Sequence, residues 1–280
     1  MESLMDNFTG LLAFSIVPLL LVVATASVAP AAGALLALRN EIMLALALPS
    51  VANAAMALVL MTGINADKAI ILYPIATVLT LATILPFVTS RSGGRLRELH
   101  LAGLFTGGQV CAMLFSALSP HAHNSIAHLL NGEVMAAGTG ETAAIITGAA
   151  LILLTGIVRR RTVYAWCADE TFFRTTAMRY RLFVAVTYSA IAAIVTVGVA
   201  TVGPLLVTAL MVFPALFGDI GKKGADTYML VVIVIGCTGS IAGFLFALIL
   251  DLPPALCAAT GAGVIGASVR IICTAGSSGH

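Results

Sequence analysis

Roughly nine stretches of about twenty mostly apolar residues run almost end to end through this chain, each long enough to cross the hydrocarbon core of a bilayer. They lie near 11–36, 42–62, 69–89, 99–118, 140–158, 182–200, 202–218, 228–250 and 254–272. No charge separates the two that meet around Gly203, so the pattern fits eight or nine spans. Backbone polar groups in lipid must be satisfied internally, and continuous apolar runs of this length do so as helices. The sequence therefore predicts an all-α polytopic membrane protein, a bundle of eight to nine transmembrane helices forming one domain over 1–280.

Charged residues make up only 9% of the chain. Each would cost about 2.5 to 3.5 kcal/mol near the bilayer centre, so charges mark the connections between spans. Alternating the nine spans gathers Arg39, Arg91, Arg95, Arg97, Arg159, Arg160, Arg161, Arg174, Arg179, Arg181, Lys222, Lys223 and Arg270 on one side and leaves Lys68 alone on the other. The positive-inside bias makes the first side cytoplasmic, with the N-terminus outside and the C-terminus inside. A net charge of +2, carried by scattered residues, excludes a nucleic-acid-binding role. The five cysteines, Cys111, Cys167, Cys237, Cys257 and Cys273, form no C-x-x-C pair, so no disulfide framework is expected. Glu2 and Asp6 stand where a signal peptide carries basic residues, so the first helix is expected to be retained.

Inside the spans, Gly239 and Gly243, and the run GAGVIG at 261–266, predict close backbone packing. Pro49, Pro204 and Pro214 predict kinks or breaks, since a proline in a helix removes one hydrogen bond and frees the carbonyl four residues earlier. Ser50 and Asn53 offer weak oxygen ligands beside Pro49. The stretch after the fourth span carries His121, His123 and His128, which suit either an ion inlet or a solvated loop touching another protein. Glu133 follows at a membrane-embedded turn, where it either guides a cation or caps the neighbouring helix. Asp251 reads as a cap before Pro253, and Glu41 as a local partner of Arg39.

The longest polar stretch, RRRTVYAWCADETFFRTTAMRYR at 159–181, exceeds a simple turn. Asp169 and Glu170 precede a short helix over 171–178 that ends at Arg179 and Arg181, the charge order a helix dipole favours. Exposed Phe172 and Phe173 on it fit a partner's groove or a lipid surface.

Five blocks resemble the permease subunits of zinc and manganese ABC importers, and the resemblance runs over nearly the whole chain. They are LRNEIMLALALPSVA at 38–52, LLNGE at 129–133, Asp169 and Glu170 with Ala177, VGPLLVTALMVFPA at 202–215, and LDLPPAL at 250–256. The fourth follows the family's pattern almost position by position. Ala177 and Ala255 stand where the family often has Gly.

The resemblance implies a homodimer of permease subunits in a bacterial-type inner (plasma) membrane, two ATP-binding subunits and an extracytoplasmic metal-binding protein. It implies zinc or manganese as cargo and no permanently bound cofactor. ATP would be hydrolysed on the partner, consistent with the lack of a G-x-x-x-x-G-K-[ST] loop in this chain. A coupling segment over about 165–180 would meet that partner through Asp169, Glu170, Phe172, Phe173 and Ala177. The translocation path would involve Pro49, Ser50, Asn53, Glu133 and Pro214. The family often carries Asp and, four residues later, His in the second span, and these positions are Leu46 and Ser50 here. The competing class, an autonomous secondary transporter or channel, predicts paired half-repeats and several charges within spans, and the sequence has no convincing repeat and few such charges. An intramembrane enzyme would need a motif such as Gly-x-Ser-x-Gly or His-Glu-x-x-His, which is absent.

Overall fold

The computed structural model describes residues 2–62, 69–89, 95–118, 139–169, 173–175, 180–219, 224–250 and 252–277. Ten helices cover almost all of them: α1 Glu2–Leu38, α2 Ile42–Met61, α3 Ala69–Thr89, α4 Arg95–Leu118, α5 Thr139–Val158, α6 Arg160–Ala168, α7 Tyr180–Val202, α8 Pro204–Phe217, α9 Ala225–Leu250 and α10 Pro254–Ser277. Each of the nine apolar stretches falls on one of these helices, and α6 is the addition. Seven of the described helices are long and apolar enough to span a bilayer; α5 and α8 contribute shorter apolar stretches, Ile145–Val158 and Pro204–Phe217.

The division at Gly203 decides between eight and nine segments. Gly203 has φ 89° and ψ 156°, a region that is open to glycine and strained for other residues. Pro204 then takes the first position of α8, where a helix has no use for a backbone donor. This corrects the expectation that Pro204 removes a helical hydrogen bond: the helix has already ended, and Pro204 starts the next. The 14 residues of α8 reach only about 21 Å at 1.5 Å per residue, short of a full crossing.

The centre of the bundle is built from α1, α2, α7 and α8, whose Leu21, Val22, Leu36, Leu44, Val195 and Leu210 are fully buried. Burial covers 72% of the spanning window in both α1 and α2 but 17% in α4, so α4 lies at the periphery with apolar side chains turned outward. The pairs α9–α10 and α2–α4 pack most extensively. Glycine explains both seams: a Cβ on Gly261 would strike the Gly239 carbonyl, and one on Gly108 would lie 2.8 Å from the Ser50 carbonyl oxygen. Many hydroxyls inside the helices donate back to the carbonyl four residues earlier, as Thr25 does to Leu21 at 2.9 Å and Thr80 to Ala76 at 2.8 Å, which satisfies them without water.

Candidate functional site

The turn between α1 and α2 fixes the first element of the site. Asn40 adopts φ 57°, one of few non-glycine residues that tolerates the left-handed region. Its N–H donates to the Ala37 carbonyl at 2.9 Å, and the Glu41 N–H to the Leu36 carbonyl at 2.8 Å. This double closure satisfies the last carbonyls of α1 and sets Glu41 directly before α2. The Glu41 side chain, 4% exposed, then points into the bundle rather than outward.

Three donors from three elements meet that carboxylate. Arg39 Nη2 lies 3.1 Å and Arg97 Nη2, from α4, 2.7 Å from Oε1, and the Tyr188 hydroxyl, from α7, donates to Oε2 at 2.6 Å. The Arg39 guanidinium sits over the ring of Trp166 in α6, 3.8 Å from its centroid. Trp166 is 1% exposed and meets Phe183 and Tyr188 edge-on at 5.5 and 5.8 Å between centroids. Beyond α6, Phe173 lies 5.3 Å from Phe183 and 6.3 Å from Tyr180. The exposure expected of Phe173 is therefore not observed: it is half-buried, its ring spent on its own bundle. Burial pushes the Cys167 thiol beside this cluster up to about 11, with Glu41 acting in the same direction and Arg39 against it.

Sequence reasoning found the Arg39–Glu41 pair because it is local. It missed Arg97, Tyr188 and Trp166, which join it only through the fold. The second polar position lies further along α2. Ser50, fully buried, accepts a hydrogen bond from Gln109 Nε2 of α4 at 3.2 Å. Asn53, 3% exposed, holds a buried Nδ2 with no hydrogen-bond partner among the described residues. Pro49 is buried inside α2 beside them. Pro214 is buried in the last turn of α8, and the carbonyls that follow are taken by side chains: Tyr228 donates to Ala215 at 2.8 Å and Arg270 to Leu216 at 2.8 Å. An open cleft of about 710 Å³ lies at this end of the bundle, lined in part by Asn40, Glu98, Asp219, Tyr228 and Arg270.

Asp169 is exposed at the end of α6. Residues 173–175 form a helical turn within the predicted helix over 171–178. Glu133, Glu170, Phe172, Ala177, Asp251 and the histidines 121, 123 and 128 lie outside the described residues. Among the described residues no three His, Cys, Asp or Glu side chains are grouped to hold a metal ion.

No curated protein matches the chain in sequence. Among solved structures, it is similar to PsaBC from Streptococcus pneumoniae in complex with Fab, at 15% identity and a TM-score of 0.79, covering 95% of each chain. It is also similar to an inward-facing ABC transporter assigned to the metal-chelate type, at 15% identity and a TM-score of 0.66, over 90% of this chain and 85% of that one. At such identities the likeness is one of fold. The family model for the ABC 3 transport family matches residues 13–270, from within α1 to within α10, and the chain belongs to that family.

Proposed function

We propose that the chain is the membrane-spanning permease subunit of an ABC importer for a divalent transition metal ion, zinc or manganese. The observation that carries the reading is the family match over residues 13–270. The metal-chelate type of one similar structure and the five sequence blocks support a metal as cargo. ATP is hydrolysed on a partner ATP-binding subunit that grips the segment around 165–180, and the permease works as a homodimer supplied by an extracytoplasmic metal-binding protein. The N-terminus lies outside and the basic end of the bundle in the cytoplasm, as the positive-inside bias requires. Alternating access then moves α2 and its neighbours around Pro49, Ser50 and Asn53 when the ATPase pushes on the coupling segment. The secondary-transporter reading is left without support by the family membership.

The test is to tag the chain, extract it gently from its native membrane and ask whether an ATP-binding subunit copurifies near one to one. Copurification followed by hydrolysis that rises with zinc or manganese, and not with magnesium alone, is the expected result. A chain that comes out alone and still transports in vesicles would overturn the reading.

A further inference from the structure

We propose that Glu41 is a positioning residue for coupling: the hub through which the segment after α6 sets the relative positions of α2, α4 and α7. This rests on the permease reading above. One carboxylate is shared by the turn that starts α2, by α4 through Arg97 and by α7 through Tyr188, at 2.6 to 3.1 Å. The fourth element enters through Trp166, on which Arg39 is stacked. Contacts therefore run unbroken from Phe173 to Phe183, Trp166, Arg39, Glu41 and Arg97.

Two physical features make this cluster a switch rather than a rigid staple. Trp166 is held by ring contacts and stacking, its indole nitrogen having no hydrogen-bond partner among the described residues, so no directed bond fixes its position when the segment beyond it is pushed. The bonds at Glu41 are directed and charged, and breaking one while the others persist leaves a buried charge undercompensated. A half-made contact is costly, so each bond to the carboxylate is either made or broken, which turns a graded push into two discrete states. Arg97 is the arm most able to leave: its side chain is 27% exposed, against 7% for Arg39.

The hub also stands at the base of the helices that carry the internal polar seam. Ser50 lies nine residues from Glu41 and Gln109 twelve from Arg97, about 14 and 18 Å along helices at 1.5 Å per residue. Releasing Arg97 from Glu41 frees the base of α4 from α2, and the Ser50–Gln109 contact feels the shift. Coupling thus acts on the seam from a distance.

The experiment reconstitutes the complex of the permease with its ATP-binding subunit in vesicles and measures zinc or manganese uptake per ATP hydrolysed. Glu41→Gln keeps the shape and removes the charge; Tyr188→Phe removes one oxygen and keeps the ring. Both are expected to leave hydrolysis within about twofold and to lower uptake per ATP roughly tenfold, within the usual range of coupling energies. An unchanged ratio in both variants overturns the hub while the permease reading stands, whereas a wild-type complex with no ATP-driven uptake overturns that reading and the hub's role with it. Should Glu41→Gln fail to assemble, Tyr188→Phe decides by the same ratio. A readout independent of transport is the thermal unfolding of Trp166→Phe and Arg97→Lys, singly and combined. The two side chains communicate through Glu41, so their Tm shifts should be non-additive, and additive shifts overturn the hub.

Discussion

The hydroxyl of Tyr188 donates to the carboxylate of Glu41 at 2.6 Å across 147 residues of sequence, fixing the first half of α7 to the start of α2. Neither group has water to fall back on, since they are 3% and 4% exposed. A hydrogen bond to a charged partner in such a place contributes about 1.5 to 3 kcal/mol, so Tyr188→Phe should lower stability by that amount. Glu41→Ala does more harm, because it takes the shared anion from the buried Arg39 and the part-buried Arg97; a loss of about 3 to 5 kcal/mol is expected. Thermal unfolding of the detergent-solubilised protein checks the order, and a Glu41→Ala variant as stable as wild type would contradict it.

Part of this site was legible in the sequence and part could not be. Hydrophobic runs report spans because lipid imposes one length scale, so all nine stretches fell on helices, and the small residues at 239, 243 and 261 marked a real seam. The Arg39–Glu41 pair was visible because it is two residues apart. Arg97 is 56 residues from Glu41, and no periodicity connects the two; only the packing of α2 on α4 brings them together. Phe173 was misplaced for a related reason: an aromatic in a polar stretch reads as exposed unless one knows that Phe183 and Tyr180 wait beneath it. The helix α6 went unread because its polar, basic sequence gave no apolar run, although it carries the buried Trp166.

Gly203 and Pro204 make opposite demands despite being neighbours. At φ 89° and ψ 156° a side chain on residue 203 is strained, so Gly203→Ala should destabilise by about 1 to 3 kcal/mol. Pro204 occupies a position where no helical bond is lost, and Pro204→Ala should cost well under 1 kcal/mol, mostly through a freer unfolded chain. Matched unfolding curves for the two variants test the pair.

Three glycines of α4 give an internal control. A Cβ at Gly108 would press on the Ser50 carbonyl and on the Val51 nitrogen, backbone atoms that cannot rotate away. At Gly103 and Gly107 a Cβ meets nothing within 4 Å. Gly108→Ala should therefore push α2 and α4 apart and lower both stability and transport. Gly103→Ala and Gly107→Ala should be neutral or mildly stabilising, since alanine is the better helix former. Equal losses at all three positions would mean that α4 does not pack on α2 through Gly108.

Cys167 offers a chemical probe of the same end of the bundle. Burial pushes its thiol from the ordinary value of 9.0 up to about 11, because the thiolate is poorly solvated there. In a variant retaining only this cysteine, iodoacetamide labelling should be slow at pH 7.5 and should accelerate by more than about tenfold between pH 9 and 11, where an ordinary thiol gains only about twofold. The folded pKa exceeds the unfolded one, so the neutral thiol contributes its stability fully below about pH 9, and this is lost as pH rises toward 11. Glu41→Gln removes a charge that raises this pKa and leaves Arg39, which lowers it; labelling at fixed pH should then become faster. A rate that levels off by about pH 10 in the folded protein, as an ordinary thiol's does, would contradict the burial of this cysteine.

Asn53 separates folding from transport most cleanly. Its Nδ2 is buried without a hydrogen-bond partner among the described residues, three positions beyond Ser50, whose hydroxyl is engaged by Gln109. A buried amide left unsatisfied costs about 1 to 3 kcal/mol, so its replacement by an apolar residue of similar shape should be neutral or stabilising if the position matters only for folding. Asn53→Leu is therefore expected to raise the Tm or leave it unchanged. If the amide faces the cargo during transport, the same variant should lose metal uptake while still hydrolysing ATP in complex with its partner. Ser50→Ala and Gln109→Leu each remove the same contact, so their combination should be no worse than either alone. A stabilised Asn53→Leu protein with full uptake would remove Asn53 from the path and leave the Ser50–Gln109 contact as a packing device between α2 and α4.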